Sequence, residues 1–492
     1  MEQNRNDFLA LTCKLYMTTL LAWIPLHTGG SYWNLGDAKY QVFQSVSVIC
    51  LGIWGIMTLG SLLRYKGRNV SRLSGVDVCM LLYSGWVVLS AACSSYQSVA
   101  WKGYVDWHMG AWTQLILVLG YFFISRCCES ATLPIYLGEA AFAVVVVVGI
   151  LNRLGMDPLK LYIAFDEKSW EYSHMLSTIG NINWFCGYCS VALAFPMVGY
   201  LYSKTRGKKI LLYVCSVLGL TLLCAQGSAV GPVIAFTGLG ICLVAGSRKE
   251  QIFQRTLLLG LGICILFPVM GMLITIFGAQ AASPVDGDIY AVMLWNGWWL
   301  PTLIVAGLYL LHKRGKLHTQ RYLAMGMIGI GAILCIGGTA YLIWKTANQA
   351  GDWGSGRSGL WRGAWTGFVL GDWKQKLLGA GPDCFAEYIY RIPEAIKWLT
   401  MEGYWENATF ANAHNEWLNQ LINIGLPGML FYFSIFVAAL KRYRGMLLAM
   451  VGIGMYLVNS LVGFQQVLNA SLLFLLLGIC ESRYRAYEKQ NI

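Results

Sequence analysis

The sequence predicts an all-α polytopic membrane protein of about 12–14 transmembrane helices, with one long extracytoplasmic loop between late helices. Three observations carry that prediction. Hydrophobic residues make up 57% of the chain and charged residues only 12%, against about 25% charged in soluble domains. The apolar residues gather into stretches near the roughly 20 residues that a bilayer core demands. Cations recur in alternate turns between those stretches, as they do when a chain is threaded back and forth with its positive turns inside.

In order, the stretches lie near 8–26, 40–63, 77–93, 109–125, 132–151, 183–203, 210–225, 229–246, 256–278, 290–311, 323–344, 418–440, 445–462 and 466–481. The first is span-length and lacks a small-residue cleavage site, so it reads as a helix rather than a removable signal. Turns bearing Arg64 to Arg72, Arg126, Lys204 to Lys209, Arg248 to Arg255, Lys313 to Arg321, Lys441 to Arg444, and Arg483 with Arg485 fall on one side. That places both termini in the cytoplasm and the long loop outside. The organisation expected is a transmembrane bundle over 1–345, an extracytoplasmic loop with short interfacial helices over 346–417, and closing transmembrane helices over 418–492.

The net charge of +12 sits in short turns beside apolar runs. Anionic lipid headgroups explain it better than nucleic acid, and the bilayer is the expected partner. Most of the fifteen cysteines lie in apolar segments, where they act as small hydrophobes. None has zinc-ligand spacing, so neither a metal nor a cofactor is expected. Glu139 is the one acid well within a span. That scarcity argues against an ion-coupled carrier and places the chemistry at the outer boundary.

A loop of some seventy residues between spans needs a reason. SGLWRGAWTGFVL (358–370) carries Trp361, Trp365 and Phe368 at helical spacing and reads as a short interfacial helix. Ser355 or Ser358 could cap it, which would set Arg357 at an end that already favours anions. Arg362 lies five residues on, about 140° around the helix. Arginines beside tryptophans also serve as plain headgroup anchors. In LLGAGPDCF, Gly379 and Gly381 could present N–H groups to a phosphate or simply make a turn. NAHNEWLNQLINIGLPG sets His414 where a span begins, with a reference pKa near 6.5 suited to proton transfer at neutral pH. Asn415 and Glu416 stand beside it to orient the ring. Two other outer segments stand out: a polar, aromatic loop over 155–183, and the tight turn CAQGSAVGP (224–232).

Taken together, SGRSGLWRGAW, LLGAGPDCF and AHNEWLNQLINIGLPG resemble the signature of the O-antigen ligase and O-antigen polymerase superfamily of bacterial membrane glycosyltransferases. TIGNINWFCGYCSVALAFP (178–196), with Asn181 and Asn183, is similar to the family's lead into a middle span. The resemblance covers roughly residues 178–428. It implies a metal-independent, inverting transfer of a glycan from an undecaprenyl-diphosphate-linked donor to a glycan or lipid acceptor, on the outer face of the bacterial cytoplasmic membrane. On that pattern Arg357 holds the diphosphate and His414 contacts or activates the acceptor hydroxyl. Arg362, Asn415, Gly379, Gly381, Asn181 and Asn183 complete the expected substrate-binding set. One departure stands out. Many members carry an arginine in a turn between two middle spans, whereas the matching AQGSAVGP has none, so a second cation would have to be Arg362, Arg391 or Lys345. The competing classes are a lipid-linked glycan flippase, which needs a polar cavity through spans that offer little to line one, and a non-catalytic envelope assembly protein.

Overall fold

The computed structural model describes residues 2–65, 72–165, 173–277, 287–315, 357–400 and 409–490, with isolated positions between 322 and 329. The described residues are mostly helical with almost no strand, and the protein is an all-α polytopic membrane protein. Among the described residues nine helices are long and apolar enough to cross a membrane, and three shorter apolar ones accompany them.

The first crossing is α1 (Glu2–Thr18), prolonged by a π-helical turn at Thr19–Trp23 and a last turn at Ile24–Leu26. Next come α2 (Leu35–Tyr65), α3 (Gly75–Cys93), the short α4 (Gln97–Lys102), α5 (Ala111–Cys127) and α6 (Thr132–Arg153). A two-residue hairpin, β1 (Met175–Leu176) with β2 (Gly180–Asn181), leads into α7 (Ile182–Ala192) and α8 (Ala194–Tyr202). The pair expected around Gly227 is present as α9 (Arg206–Ala225) and α10 (Val230–Gly246), followed by α11 (Glu250–Phe277), α12 (Gly287–Met293) and α13 (Trp299–Lys313). The span expected near 323–344 lies outside the described residues. Four short helices follow: α14 (Arg357–Leu370), α15 (Trp373–Leu378), α16 (Phe385–Ile389) and α17 (Pro393–Thr400). The last three long ones are α18 (Glu416–Arg442), α19 (Leu447–Ser460) and α20 (Val467–Gln490).

Burial sorts these helices. From Val467 to Glu481 every side chain of α20 is buried, which fits a stretch apolar on all faces. It packs against α5 and α7, while α18 packs on α3 and α10 on α19. Only 22% of the apolar window of α2 is buried inside the protein, against 83% for α20, so α2 turns most of its surface to lipid.

One end of the bundle is tied by ions. Ser74 and Asp77 form a reciprocal cap on α3. The fully buried Asp77 carboxylate also pairs with Arg126 at 2.9 Å and Arg485 at 2.5 Å and accepts from the Tyr121 hydroxyl at 2.8 Å. Glu481 receives Arg442 at 2.7 Å, Arg485 at 2.8 Å and the Tyr443 hydroxyl at 2.8 Å. These are cations of the turns read as cytoplasmic, and they join α3, α5, α18 and α20. Asp77→Ala is expected to lower stability by about 3–5 kcal/mol, because it deprives a half-buried Arg126 of its carboxylate. Thermal unfolding in detergent measures this, and an unchanged melting temperature would assign the network no stabilising role.

Candidate functional site

The opposite end gathers the segments singled out in the sequence. Its foundation is α18, which is broken at Gly425, where φ is +69° and ψ is 177°. Backbone carbonyls freed by this break are claimed by the glycine turn: Ala380 N–H donates to Ile422 O at 2.9 Å and Gly381 N–H to Asn423 O at 2.8 Å. Gly379 N–H donates to Gln375 O at 2.9 Å. The expectation that Gly379 and Gly381 offer N–H groups to a phosphate is therefore corrected, since α15 and α18 already use them. The turn needs glycine because it presses on other backbone. At Gly379, φ is +73° and an added Cβ would stand 2.3 Å from the Asn423 carbonyl oxygen. Gly379→Ala should lose about 1–3 kcal/mol to the left-handed conformation alone, with the clash adding to it. A melting temperature equal to that of the wild type would contradict this seating.

Asp383 closes the same turn. Its Oδ2 accepts from Tyr104 N–H at 2.7 Å and Met109 N–H at 2.9 Å, fastening the 94–110 segment. Burial pushes its carboxyl up to about 6 despite these two bonds.

The α14 helix packs on α17 and α18 through Ser358, Gly359, Leu360, Gly363, Ala364 and Gly367. Ser358 is inside the helix and so is not its cap, and Ser355 lies outside the described residues. Trp361 and Phe368 turn onto the core and Trp365 outward. The half-buried Arg357, first residue of α14, reaches across to the start of α7, where its Nη2 donates to Asn183 Oδ1 at 3.3 Å. The Ser228 hydroxyl donates to the same oxygen at 3.0 Å. Asn183 thus belongs to the site. Asn181 does not: its side chain accepts from Asn183 N–H at 2.8 Å and caps α7, so its role is structural.

Ser228 belongs to the turn that lacks the expected arginine. Gln226, fully buried, folds that turn by donating to Ser228 O at 2.9 Å and accepting from Ser228 N–H at 3.0 Å. A cation does reach this turn, from elsewhere in the chain. Arg153, 1% exposed in the last turn of α6, donates from Nη2 to Gln226 O. Sequence reasoning missed it. The available signal was that Arg153 breaks the alternation of positive turns, standing at the end of a span where no cation is expected. The three substitutes proposed for the missing arginine fare differently. Arg362 lies over the Trp398 ring at 4.8 Å and Arg391 over the Tyr96 ring at 4.7 Å, while Lys345 is outside the described residues.

His414 sits immediately before α18 with φ +45°, and its N–H donates to Asn412 Oδ1 at 3.1 Å. The ring stands edge-on to Phe464 at 5.1 Å and to Phe410 at 6.4 Å. Loss of water first, and the nearby Arg357 charge second, push its pKa down to about 3. This corrects the expectation of a histidine poised near neutrality without special tuning. The free protein holds a neutral imidazole whose basicity is suppressed by its surroundings.

Neither neighbour orients that ring. Asn415 caps α18, accepting from Leu418 N–H at 3.0 Å and donating to Leu461 O at 2.8 Å. Glu416, 1% exposed, is held by the hydroxyls of Tyr432 and, at 2.9 Å, Tyr456. Both expected roles, substrate contact for Asn415 and ring orientation for Glu416, are corrected. Asn415 is a helix cap, and Glu416 ties the head of α18 to α19. What positions His414 is aromatic: Phe464 meets Trp107 edge-on at 4.8 Å, and Trp107 meets Trp184, the neighbour of Asn183, at 5.4 Å. The site therefore combines a guanidinium beside a hydroxyl and an amide with a neutral imidazole that feels the guanidinium's charge. That set can grip an anion and accept a proton next to it. No described protein family and no curated protein matches the chain.

Proposed function

We propose that this protein is a membrane glycosyltransferase of the O-antigen ligase and polymerase type, moving a glycan from an undecaprenyl-diphosphate-linked donor to a glycan or lipid acceptor. The observation that carries this reading is the meeting of Arg357, Asn183, the 226–228 turn and His414 at one end of the bundle, opposite the arginine-rich end. These segments are far apart in the chain, and those of Arg357, Asn183 and His414 fall in stretches whose sequence resembles that superfamily. With the arginine-rich end cytoplasmic, the site faces outward, where the diphosphate of a lipid-linked glycan lies at the headgroups.

In this reading the diphosphate sits on Arg357, with Arg153 adding positive potential from behind the 226–228 turn. A charge-assisted contact of this kind contributes on the order of 1.5–3 kcal/mol. His414 accepts the acceptor hydroxyl's proton as that oxygen attacks the anomeric carbon. The bond from that carbon to the phosphate breaks on the opposite face, the diphosphate leaves with the electron pair, and the configuration inverts. The diphosphate also tunes the base. Its charge offsets Arg357, which removes one cause of the depressed basicity, so donor binding readies His414. The test is turnover of a labelled lipid-diphosphate glycan by the purified protein in liposomes. Release of lipid diphosphate with formation of a new glycosidic bond supports the reading. Movement of intact donor across the bilayer without bond formation would establish a flippase instead.

A further inference from the structure

The carboxylates Asp77 and Glu481 neutralise one corner of the arginine-rich end. A second corner of that end is cationic and unmatched. Residues 204–209 supply four cations, 248–249 two and 313–314 two, every one of them exposed or half-buried. Arg255 ties the first two of these turns together, donating from Nη1 to Tyr200 O and Leu201 O at 2.9 Å and to Ser203 O at 2.8 Å. His312, in the last turn of α13, lies 3.8 Å from Glu250 at the start of α11 and brings in the third. Among the described residues Glu250 is the one acid in these turns. None of the eight cations pairs with a carboxylate among the described residues, whereas Arg126, Arg442 and Arg485 share Asp77 and Glu481.

Two of these cations are fixed by aromatic rings. Lys208 Nζ stands 4.2 Å from the centre of the Tyr136 ring and donates to its hydroxyl at 2.9 Å, and Lys249 Nζ stands 5.6 Å from the centre of the Tyr202 ring. Both tyrosines are exposed, and so are Leu137, Ile210, Leu211 and Val244 on the adjoining helices α6, α9 and α10. Ammonium groups held on tyrosine at the head of an apolar surface suit phosphate above acyl chains. A soluble anion or a nucleic acid would use the cations and leave the apolar surface without a partner. Diffuse attraction to an anionic leaflet needs neither the gathering of three turns nor the rings, since any surface lysine supplies it. A headgroup with two phosphates gains more, because its second phosphate binds intramolecularly once the first is seated.

We infer that this corner is a selective site for a phospholipid whose headgroup carries two phosphates, with Lys208 and Lys249 on the phosphates and the apolar faces of α6, α9 and α10 along the acyl chains. The inference goes beyond the glycosyl-transfer reading and stands without it, since it concerns the other end of the molecule. Bound there, the lipid offsets the mutual repulsion of eight like charges and ties together the helices that carry them.

Native mass spectrometry of the full chain tests this, with diphosphatidylglycerol and phosphatidylglycerol offered at equal total phosphate. Diphosphatidylglycerol should bind about tenfold more tightly or better. Lys208→Gln combined with Lys249→Gln, at a wild-type melting temperature, should weaken that binding about tenfold or more. Lys441→Gln combined with Arg444→Gln removes the same charge from the other corner and should change it little. Tyr202→Phe, which keeps the ring face under Lys249, should bind as the wild type does, and Tyr202→Leu more weakly. Equal binding of the two lipids, wild-type binding by the folded Lys208 and Lys249 variant, or an equal loss in the Lys441 and Arg444 variant overturns the inference. Each of those results would leave only the diffuse attraction of cations to an anionic leaflet.

Discussion

His414→Gln is expected to lower turnover of a lipid-diphosphate glycan by roughly 10²- to 10⁴-fold while leaving donor binding largely intact. In the proposed reading diphosphate binding belongs to Arg357, whereas proton removal matters only as the acceptor hydroxyl attacks. The pH dependence makes the expectation sharper. Burial and the Arg357 charge hold the ring's pKa near 3 in the free protein. Protonation therefore inactivates the free protein only well below the ordinary histidine range, and the acid limb of kcat/KM should lie there. With donor bound, the diphosphate offsets Arg357, so the acid limb of kcat should lie at higher pH than that of kcat/KM. Stability follows the same group. Its folded pKa is below the unfolded value near 6.5, so the unfolded chain takes the proton more readily. His414's contribution is complete above about pH 6.5 and is lost as pH falls toward 3. Full pH–rate profiles of wild type and His414→Gln decide the matter. An acid limb that survives the substitution in a folded, active variant removes His414 from the base role.

Arg357→Lys is expected to be nearly as harmful as Arg357→Ala, with both losing on the order of 10- to 100-fold in kcat/KM. Lysine keeps a charge but not the planar fork that serves Asn183 and a phosphate together. Part of the burial cost of the guanidinium is already met by the Asn183 contact, and an ammonium at the end of a flexible stem would forfeit that geometry. The alanine variant carries a second signature. Without the Arg357 charge one cause of His414's low basicity disappears, so the acid limb of kcat/KM should move to higher pH in Arg357→Ala and stay low in Arg357→Lys. Lysine restoring near-normal turnover would show that generic charge, as for headgroup anchoring, is all that this position supplies.

Much of this architecture could be read along the chain, because span length and loop charge are local quantities. An apolar run near twenty residues meets a bilayer wherever it occurs, and the turns carrying Arg126, Arg442 and Arg485 do converge on one end, sharing Asp77 and Glu481. The start of α18 after His414 was equally legible, since the polar loop gives way there to an apolar run of span length. What could not be read was which side chains are already engaged. Gly379 and Gly381 carry the pattern of a phosphate-binding turn, yet their N–H groups are taken up by Gln375 and by the broken backbone of α18. Asn415 and Glu416 adjoin His414 in sequence and turn away from it in space, because a helix cap and a buried tyrosine pair claim them first.

The sequence by itself determined that this is a many-spanned membrane protein and which of its segments carry arginine and histidine, because hydrophobic length and charge placement act locally. Only the tertiary structure decided that Arg153 comes to the turn lacking an arginine, that Asn183 joins Arg357 to Ser228, and that His414 is a suppressed base. Each of these depends on the desolvation and electric field that arise when segments distant in the chain are packed against one another.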